Sequence, residues 1–374
     1  MKILFTGGGT GGHIVPIIGI AREMKLLYPN SDLKFFYIGP RDSFGAMLLA
    51  QEGIKVRSIF AGKIRRNLDW KTVLQNALDL LVKIPLGIFQ SFWYIFFIGP
   101  DLVLSKGGYG SFPVVFSAWV LQTPIFLHES DVAPGLANRI SGKMAVEIFV
   151  SFPKTEYFAV QKSIIVGNPI RREILGGSAE EGRTKLHLTG KRPVMLVLGG
   201  SQGAQRINDV ILAALPELLV DFEIIHQTGD QNFSAVQAEA EVIMPRGYEG
   251  FYHPVSFLRE VDLRDAYSAC DIVVARSGAG TIFETAAVGK PSILVPLPEA
   301  AQNHQYKNAY AYGSHGAAIV MEEPNFLPHF FVERLTYLFS HQDELEKMAK
   351  AARTFASPKA GQIIAEYVWG YLMQ

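Results

Sequence analysis

Lys2-Ile3-Leu4-Phe5-Thr6-Gly7-Gly8-Gly9-Thr10-Gly11-Gly12-His13 is the stretch on which the fold turns. Its first part is a short apolar run, the pattern of a strand buried on both faces. The run breaks into glycines and leads to an amphipathic segment from Ile14 to about Tyr28. A second apolar run, Leu33 to Ile38, follows, so the start of the chain reads as a βαβ unit. A helix N-terminus offers unpaired N–H groups and partial positive charge, and glycine lets the backbone close on an anion, so this turn suits a phosphate. Read as G-x-G-x-x-G it would suit a dinucleotide. However, Gly39-Pro40-Arg41 ends the second run, where a ribose-binding carboxylate is needed.

Further buried strands are predicted at Leu102-Val103-Leu104 and Ile125-Phe126-Leu127. The pattern then restarts: Val194-Met195-Leu196-Val197-Leu198 runs into Gly199-Gly200-Ser201-Gln202-Gly203-Ala204, a second phosphate-type loop in which Ser201 can donate. More strands are predicted near Phe222–Ile225, Ile272–Ala275 and Ile293–Val295. Two strand–glycine–helix starts predict an α/β protein of two Rossmann-like, doubly wound domains facing a cleft, with ligands at the carboxyl ends of strands. The break is expected near Gly167-Asn168-Pro169, giving domains 1–166 and 167–357. Helical patterns from about Phe326 break at Ser357-Pro358, and a helix over 358–374 is expected to return to the first domain. The run Gly176-Gly177-Ser178-Ala179-Glu180-Glu181-Gly182 is expected as an exposed loop.

Composition narrows the class. With 374 residues, 49% hydrophobic and 19% charged, the chain can bury a large core and is not disordered. A net charge of +0 argues against electrostatic nucleic-acid binding. The single cysteine, Cys270, rules out an internal disulfide or a cysteine metal cluster and fits a reducing cytoplasm. Met1 to Thr6 read as a strand, not as a cleavable signal. Mean hydropathy is +0.17, with the apolar excess between about Leu74 and Trp119.

Within that excess, Leu80 to Ile98 reads LLVKIPLGIFQSFWYIFFI. Lys83, Pro85, Gln90 and Ser91 argue against a spanning helix. Trp70, Phe89, Phe92 and Trp93, with Lys63, Arg65, Arg66 and Lys71 upstream, predict a patch that lies on anionic lipid beside the first glycine turn.

In the second domain, Arg276-Ser277-Gly278-Ala279-Gly280-Thr281-Ile282-Phe283-Glu284 again follows a strand. Thr281 and Glu284 fall one turn apart on the same helix face, suiting phosphate and a sugar diol; a plain N-terminal cap has the same spacing. Asn303-His304-Gln305 opens a further helix with amides that both donate and accept.

Taken together, the motifs resemble those of the MurG family, inverting transferases that add N-acetylglucosamine to lipid I to form lipid II of peptidoglycan. The matching pieces are Gly8–His13, Gly107-Gly108-Tyr109, His128-Glu129, Pro134-Gly135 with Asn138-Arg139, Gly167–Arg171, Gly199–Ala204, His226–Gly229, Arg276–Ala279 and His304-Gln305, in family order over nearly the full length. The resemblance implies a GT-B hexosyltransferase. Arg171, Ser201, the backbone of Leu258, Ala279, Gly280 and Thr281 would hold uridine and diphosphate, Glu284 the ribose and Gln305 the sugar hydroxyls. Thr10, Gly11 and Gly12 would line the sugar end of the donor and the acceptor diphosphate. Asp131 stands where the family usually has Asn, and it can accept but not donate an amide proton.

Inverting transfer needs a base for the acceptor hydroxyl. Histidine's ordinary pKa of about 6.5 suits that role, which points to His13, with Glu129 and then Asp131 as rivals. Helix N-termini and Arg171 would stabilise the leaving diphosphate. No D-x-D pair is present, so no metal and no cofactor are predicted. The expected partners are UDP-N-acetylglucosamine, undecaprenyl-pyrophosphoryl-N-acetylmuramyl pentapeptide and the inner leaflet of a bacterial membrane. The alternatives are a UDP-N-acetylglucosamine 2-epimerase, a diacylglycerol glycosyltransferase and a non-catalytic nucleotide-sugar-binding module.

Overall fold

The computed structural model describes residues 1–8, 11–65, 69–153, 157–200 and 203–374. The chain divides into two compact units, Met1–Arg171 with Pro358–Gln374, and Arg172–Ser357.

The first unit is built on β1 (Lys2–Thr6), β2 (Lys34–Pro40), β3 (Lys55–Ile59), β4 (Leu102–Ser105), β5 (Ile125–Glu129), β6 (Glu147–Val150) and β7 (Ser163–Ile165). They form one parallel seven-stranded sheet in the order β3-β2-β1-β4-β5-β6-β7. The central strands are apolar on both faces because helices cover both. Ile3 and Phe5 pack with Ile14 and Ile17 of the helix Gly11–Leu27 on one side, while Leu4 and Val103 pack with Val114 and Val115 of the helix Phe112–Val120 on the other. The final helix, Ala360–Leu372, lies on the first of these faces. Its Ile364 and Val368 are fully buried with Phe126 and Phe149, each contributing about 1.5–3 kcal/mol. Trp369 stacks on Tyr28 at 3.9 Å.

The sequence placed the domain break at 166/167. The segment as far as Arg171 stays with the first sheet, because Gly167 N–H donates to the Val150 carbonyl and the Gly167 carbonyl faces His128 Nε2 at 3.0 Å.

The second unit repeats the plan with β8 (Val194–Leu198), β9 (Glu223–Gln227), β10 (Tyr252–Val255), β11 (Ile272–Ala275), β12 (Ser292–Leu294) and β13 (Ala318–Val320). Its parallel sheet runs β10-β9-β8-β11-β12-β13. The expected loop at Gly176–Gly182 is instead largely helical. Arg172–Gly176 is a 3₁₀ turn and Ala179–Lys185 an α-helix, started by the Ser178 hydroxyl accepting from Glu181 N–H. Gly177 and Gly182, though not Gly176, serve packing: a Cβ on Gly182 would stand 2.5 Å from the Asp265 carbonyl oxygen.

The apolar segment of the first unit forms a helix from Trp70 to Ile98, with a wider π turn at Asp79–Lys83. By length and composition it could cross a membrane, yet its polar side is the packed one. Asp79 is buried against Arg65 and Lys83, Gln90 accepts from Phe60 N–H at 2.8 Å, and Ser91 is buried. Gly87 lets the helix close on the Phe60 carbonyl, and the Ser117 hydroxyl donates to the Ile88 carbonyl. The exposed side is apolar, with Trp70 71%, Leu81 72%, Phe89 62% and Phe97 77% exposed.

Candidate active site

In each sheet, strand order reverses beside the first strand, and ligand sites of such folds lie at the carboxyl ends there. In the first unit those ends present Gly7-Gly8 after β1, Lys106-Gly107-Gly108 after β4, and His128-Glu129 at the end of β5. Gly8 N–H donates to the Gly107 carbonyl at 2.8 Å and Lys106 N–H to the Thr6 carbonyl at 2.7 Å, which laces the two turns together. Gly11 opens the first helix, Gly12 is exposed, and half-buried His13 is in the first turn. Thr10, expected at the sugar end of the donor and the acceptor diphosphate, lies outside the described residues.

The imidazole of His13 is wrapped by glycine. A Cβ on Gly8 would stand 2.8 Å from His13 Cδ2, and one on Gly108 3.0 Å from Nε2. Gly107 and Gly108 have φ of +82° and +86°, which glycine alone adopts readily. Part of the glycine richness is thus required by packing around a ring, besides any phosphate. The Nδ1 of His13 lies 3.3 Å from the Lys106 carbonyl oxygen. A carbonyl only accepts, so Nδ1 carries the hydrogen and Nε2 the ring lone pair.

Beneath this turn is a buried polar cluster. Lys106 is 1% exposed, and its ammonium meets His128 Nδ1 at 2.6 Å, Asn168 Oδ1 at 3.2 Å and the Ser130 hydroxyl. Glu129 is 3% exposed; its Oε1 accepts from Asp131 N–H at 2.9 Å and its Oε2 from Asn138 Nδ2 at 2.6 Å. Asn138 in turn accepts from Gly108 N–H at 3.1 Å. Burial pushes the Lys106 ammonium down to about 7, against the attraction of Glu129 and Asp131. Burial also pushes the Glu129 carboxyl up to about 7, reinforced by Asp131 and opposed by its hydrogen bonds and by Lys106. His128 is held well below its ordinary value, first by burial and then by the Lys106 charge. Both Glu129 oxygens are therefore committed inside the protein, whereas His13 stands at the turn. Lys106, Ser130 and Asn168 were not singled out as site residues. The one sequence signal for Lys106 is a cation placed directly between an apolar strand and a glycine pair.

In the second unit, Ser201 and Gln202 lie outside the described residues. The flanking glycines are placed: Gly200 and Gly203 have φ of +83° and +78°, and the helix Gln205–Asp221 follows. Gln227 staples this loop, donating to the Gly200 carbonyl at 3.1 Å and accepting from Leu258 N–H at 3.1 Å. The Leu258 amide hydrogen is thus already used.

Ala279, Gly280 and Thr281 form the first turn of the helix Ala279–Ala287, capped by Gly278, so their N–H groups have no partner within the helix. A Cβ on Gly278 or Gly280 would meet nothing within 4 Å, so this helix end is open. Glu284 is nearly buried one turn further along. Gln305 Oε1 accepts from Leu297 N–H at 3.0 Å, and the Gln305 carbonyl accepts from the Ser277 hydroxyl at 2.8 Å. That ties Gln305 to the Ser277 turn. Gln302 and Asn303 before it hold left-handed φ of +60° and +54°, strain of the kind that collects at ligand sites. Arg171 closes the first unit. Among the described residues, no group of three or more His, Cys, Asp or Glu is arranged to hold a metal ion.

These two units match known domains. Residues 3–150 match the glycosyltransferase family 28 N-terminal domain and residues 194–363 its C-terminal domain. A relative from Geobacillus thermodenitrificans, named UDP-N-acetylglucosamine–N-acetylmuramyl-(pentapeptide) pyrophosphoryl-undecaprenol N-acetylglucosamine transferase, is 35% identical over 92% of this chain and 93% of its own. One of the same name from Clostridium tetani is 35% identical over 93% of each chain. Among solved structures, MurG of Acinetobacter baumannii superposes over 99% of both chains with a TM-score of 0.74 at 24% identity. A UDP-GlcNAc 2-epimerase from Neisseria meningitidis reaches 0.67 at 16% identity over 99% of this chain and 100% of its own; both structural likenesses speak for the fold alone. Fold and matched domains together define a glycosyltransferase of the GT-B class, a hexosyltransferase. Within that class, the chain belongs to the MurG family.

Proposed function

We propose that this enzyme transfers N-acetylglucosamine from UDP-N-acetylglucosamine to undecaprenyl-pyrophosphoryl-N-acetylmuramyl pentapeptide. The relatives' names supply the substrates, and the geometry supports a division of labour. The first unit supplies the base: His13, with Nδ1–H directed to the Lys106 carbonyl, offers the lone pair of Nε2 to the acceptor hydroxyl. The hydroxyl oxygen attacks the anomeric carbon, His13 takes its proton, and the bond to phosphate breaks with its electron pair leaving on UDP. The second unit supplies the donor surface: the open helix end at Ala279–Thr281 with Gly199, Gly200 and Gly203 for diphosphate, Glu284 for ribose and Gln305 for sugar hydroxyls. The observation that carries the mechanism is the glycine cage that fixes the His13 ring at the switch point of its sheet. Incubation with radiolabelled UDP-N-acetylglucosamine and the lipid acceptor tests it: label must enter the lipid phase. Label found only as free sugar or as an epimer favours the 2-epimerase reading.

The exposed side of the helix Trp70–Ile98 supports peripheral attachment to the inner leaflet. Its polar groups face the protein and its aromatic groups face outward, with exposed Lys63 and Lys71 beside them. A lipid-linked acceptor would enter from that surface.

A further inference from the structure

Gln227 is the last residue of β9 and is 5% exposed, so its side-chain amide has to find partners inside the second unit. It finds two, on different loops. Its Nε2 donates to the Gly200 carbonyl at 3.1 Å, and its Oε1 accepts from Leu258 N–H at 3.1 Å. A carbonyl only accepts and a peptide N–H only donates, so the amide fits one way round. Leu258 N–H takes the oxygen, and that leaves the nitrogen aimed at Gly200. Since β9 lies between β8 and β10, this one side chain ties the turn after β8 to the loop after β10.

A glycine turn takes an anion with its N–H groups, so its carbonyl oxygens have to point away from the ligand. Gly200 has φ of +83°, and a Cβ there would meet no atom within 4 Å, so the turn is open on that side. Its carbonyl is drawn inward by two donors. Gly203 N–H, at 3.1 Å, closes the turn on itself, while Gln227 sets the tilt of the turn against the strand ends. The rest of the footing is on the same stretch of chain. Gly199 N–H donates to the Gln227 carbonyl at 3.3 Å, and a Cβ on Gly203 would stand 2.5 Å from the Thr228 carbonyl oxygen. That oxygen is held in turn by the amides of Asn208 at 3.1 Å and Asn232 at 3.2 Å.

We propose that Gln227 is a positioning residue for the donor diphosphate: oriented by Leu258 N–H, its amide holds the Gly200 carbonyl inward and so keeps the turn after β8 set to receive phosphate. The proposal rests on the reading of that turn as part of the donor site. Gln227 itself touches no phosphate, because both ends of its amide are occupied by backbone groups.

Gln227→Met in the full-length enzyme tests this, since methionine keeps the length of the side chain and makes neither bond. Isothermal titration compares UDP with uridine, which carries no phosphate. UDP affinity should fall by about tenfold, and uridine affinity should change little. KM for UDP-N-acetylglucosamine should rise by a similar factor while KM for the lipid acceptor, assigned to the first unit, stays unchanged. A merely structural role would reduce the folded fraction and leave the preference of the folded enzyme for UDP over uridine as it was. UDP affinity equal to wild type overturns the proposal, and so does an equal loss for UDP and uridine.

If Gln227→Met does not fold, Gln227→Asn decides. It keeps the amide but is one methylene too short to reach both loops, so the same selective loss of UDP affinity is expected, and a normal preference for UDP overturns the proposal. A wild-type enzyme that binds UDP no better than uridine overturns the diphosphate reading and this proposal with it. A wild type that prefers UDP, with a variant that keeps the full preference, overturns this proposal alone.

Discussion

His13 Nδ1 faces the carbonyl oxygen of Lys106 at 3.3 Å, so the backbone of the turn after β4 selects the tautomer of the ring that both glycine turns enclose. His13→Ala should therefore lower kcat by on the order of 10²–10⁴-fold and leave UDP affinity near normal. Steady-state kinetics with isothermal titration of UDP checks both halves. Normal turnover in this variant removes His13 from the mechanism.

Gly8→Ala tests the cage with the base itself left unsubstituted. The new Cβ would stand 2.8 Å from His13 Cδ2 and push the ring aside. Misplacing a reacting group by about 1 Å costs up to about 10²-fold, so kcat should fall by at least tenfold with the melting temperature little changed. Unaltered kcat would mean that the ring position is immaterial.

Gly280→Ala separates helix stability from donor binding. The new methyl meets no protein atom, and alanine is the better helix former by up to about 1 kcal/mol. Stability should hold or rise. UDP affinity should fall by about tenfold, about 1.4 kcal/mol, because the methyl occupies the space over the open helix end. Unchanged UDP affinity would place the diphosphate elsewhere.

Acid should weaken the second unit through His226. Its ring is buried between Tyr252 and Asn208, and burial pushes its pKa down to about 3. The unfolded chain takes a proton below about pH 6.5 that the folded chain refuses. Stability is thus full above that value and falls by about 1.4 kcal/mol per pH unit as pH drops toward the folded pKa. His128, also held low by burial, adds the same sign in the first unit. Urea titrations across this range check the slope, and His226→Gln should flatten it. Stability that stays flat below neutral pH would contradict a neutral His226.

Leu81→Glu with Phe97→Glu tests the membrane surface. Both side chains are more than 70% exposed, so folding should change little. Each withdraws about 1.5 kcal/mol or more of apolar burial in lipid, and sedimentation with anionic vesicles should weaken by about 10²-fold. Vesicle binding equal to wild type would show that another surface is used.

The sequence reading succeeded where burial leaves no choice. β1, β4, β5 and β8 are apolar runs closed on both faces, and the turns after β1 and β8 carry glycine where φ is positive or a ring packs close. The edge strands β3 and β13 escaped notice because Lys55-Val56-Arg57-Ser58-Ile59 is interrupted by polar residues, while Ala318-Ile319-Val320, though apolar, is a three-residue, partly exposed strand. Gly182 misled because a glycine needed for close packing looks the same in sequence as one needed for a turn. Lys106 escaped for another reason: a lysine after a strand reads as a surface charge until the fold sets His128, Ser130 and Asn168 around it.

The most direct measurement is the linkage of the sugar transferred from UDP-N-acetylglucosamine, together with its dependence on acceptor. Direct displacement by a hydroxyl deprotonated at His13 inverts the α-linked donor, so NMR of the lipid product should show a β-linkage and UDP should appear only when acceptor is present. An α-linkage, or UDP and epimerised sugar released without acceptor, would contradict the account.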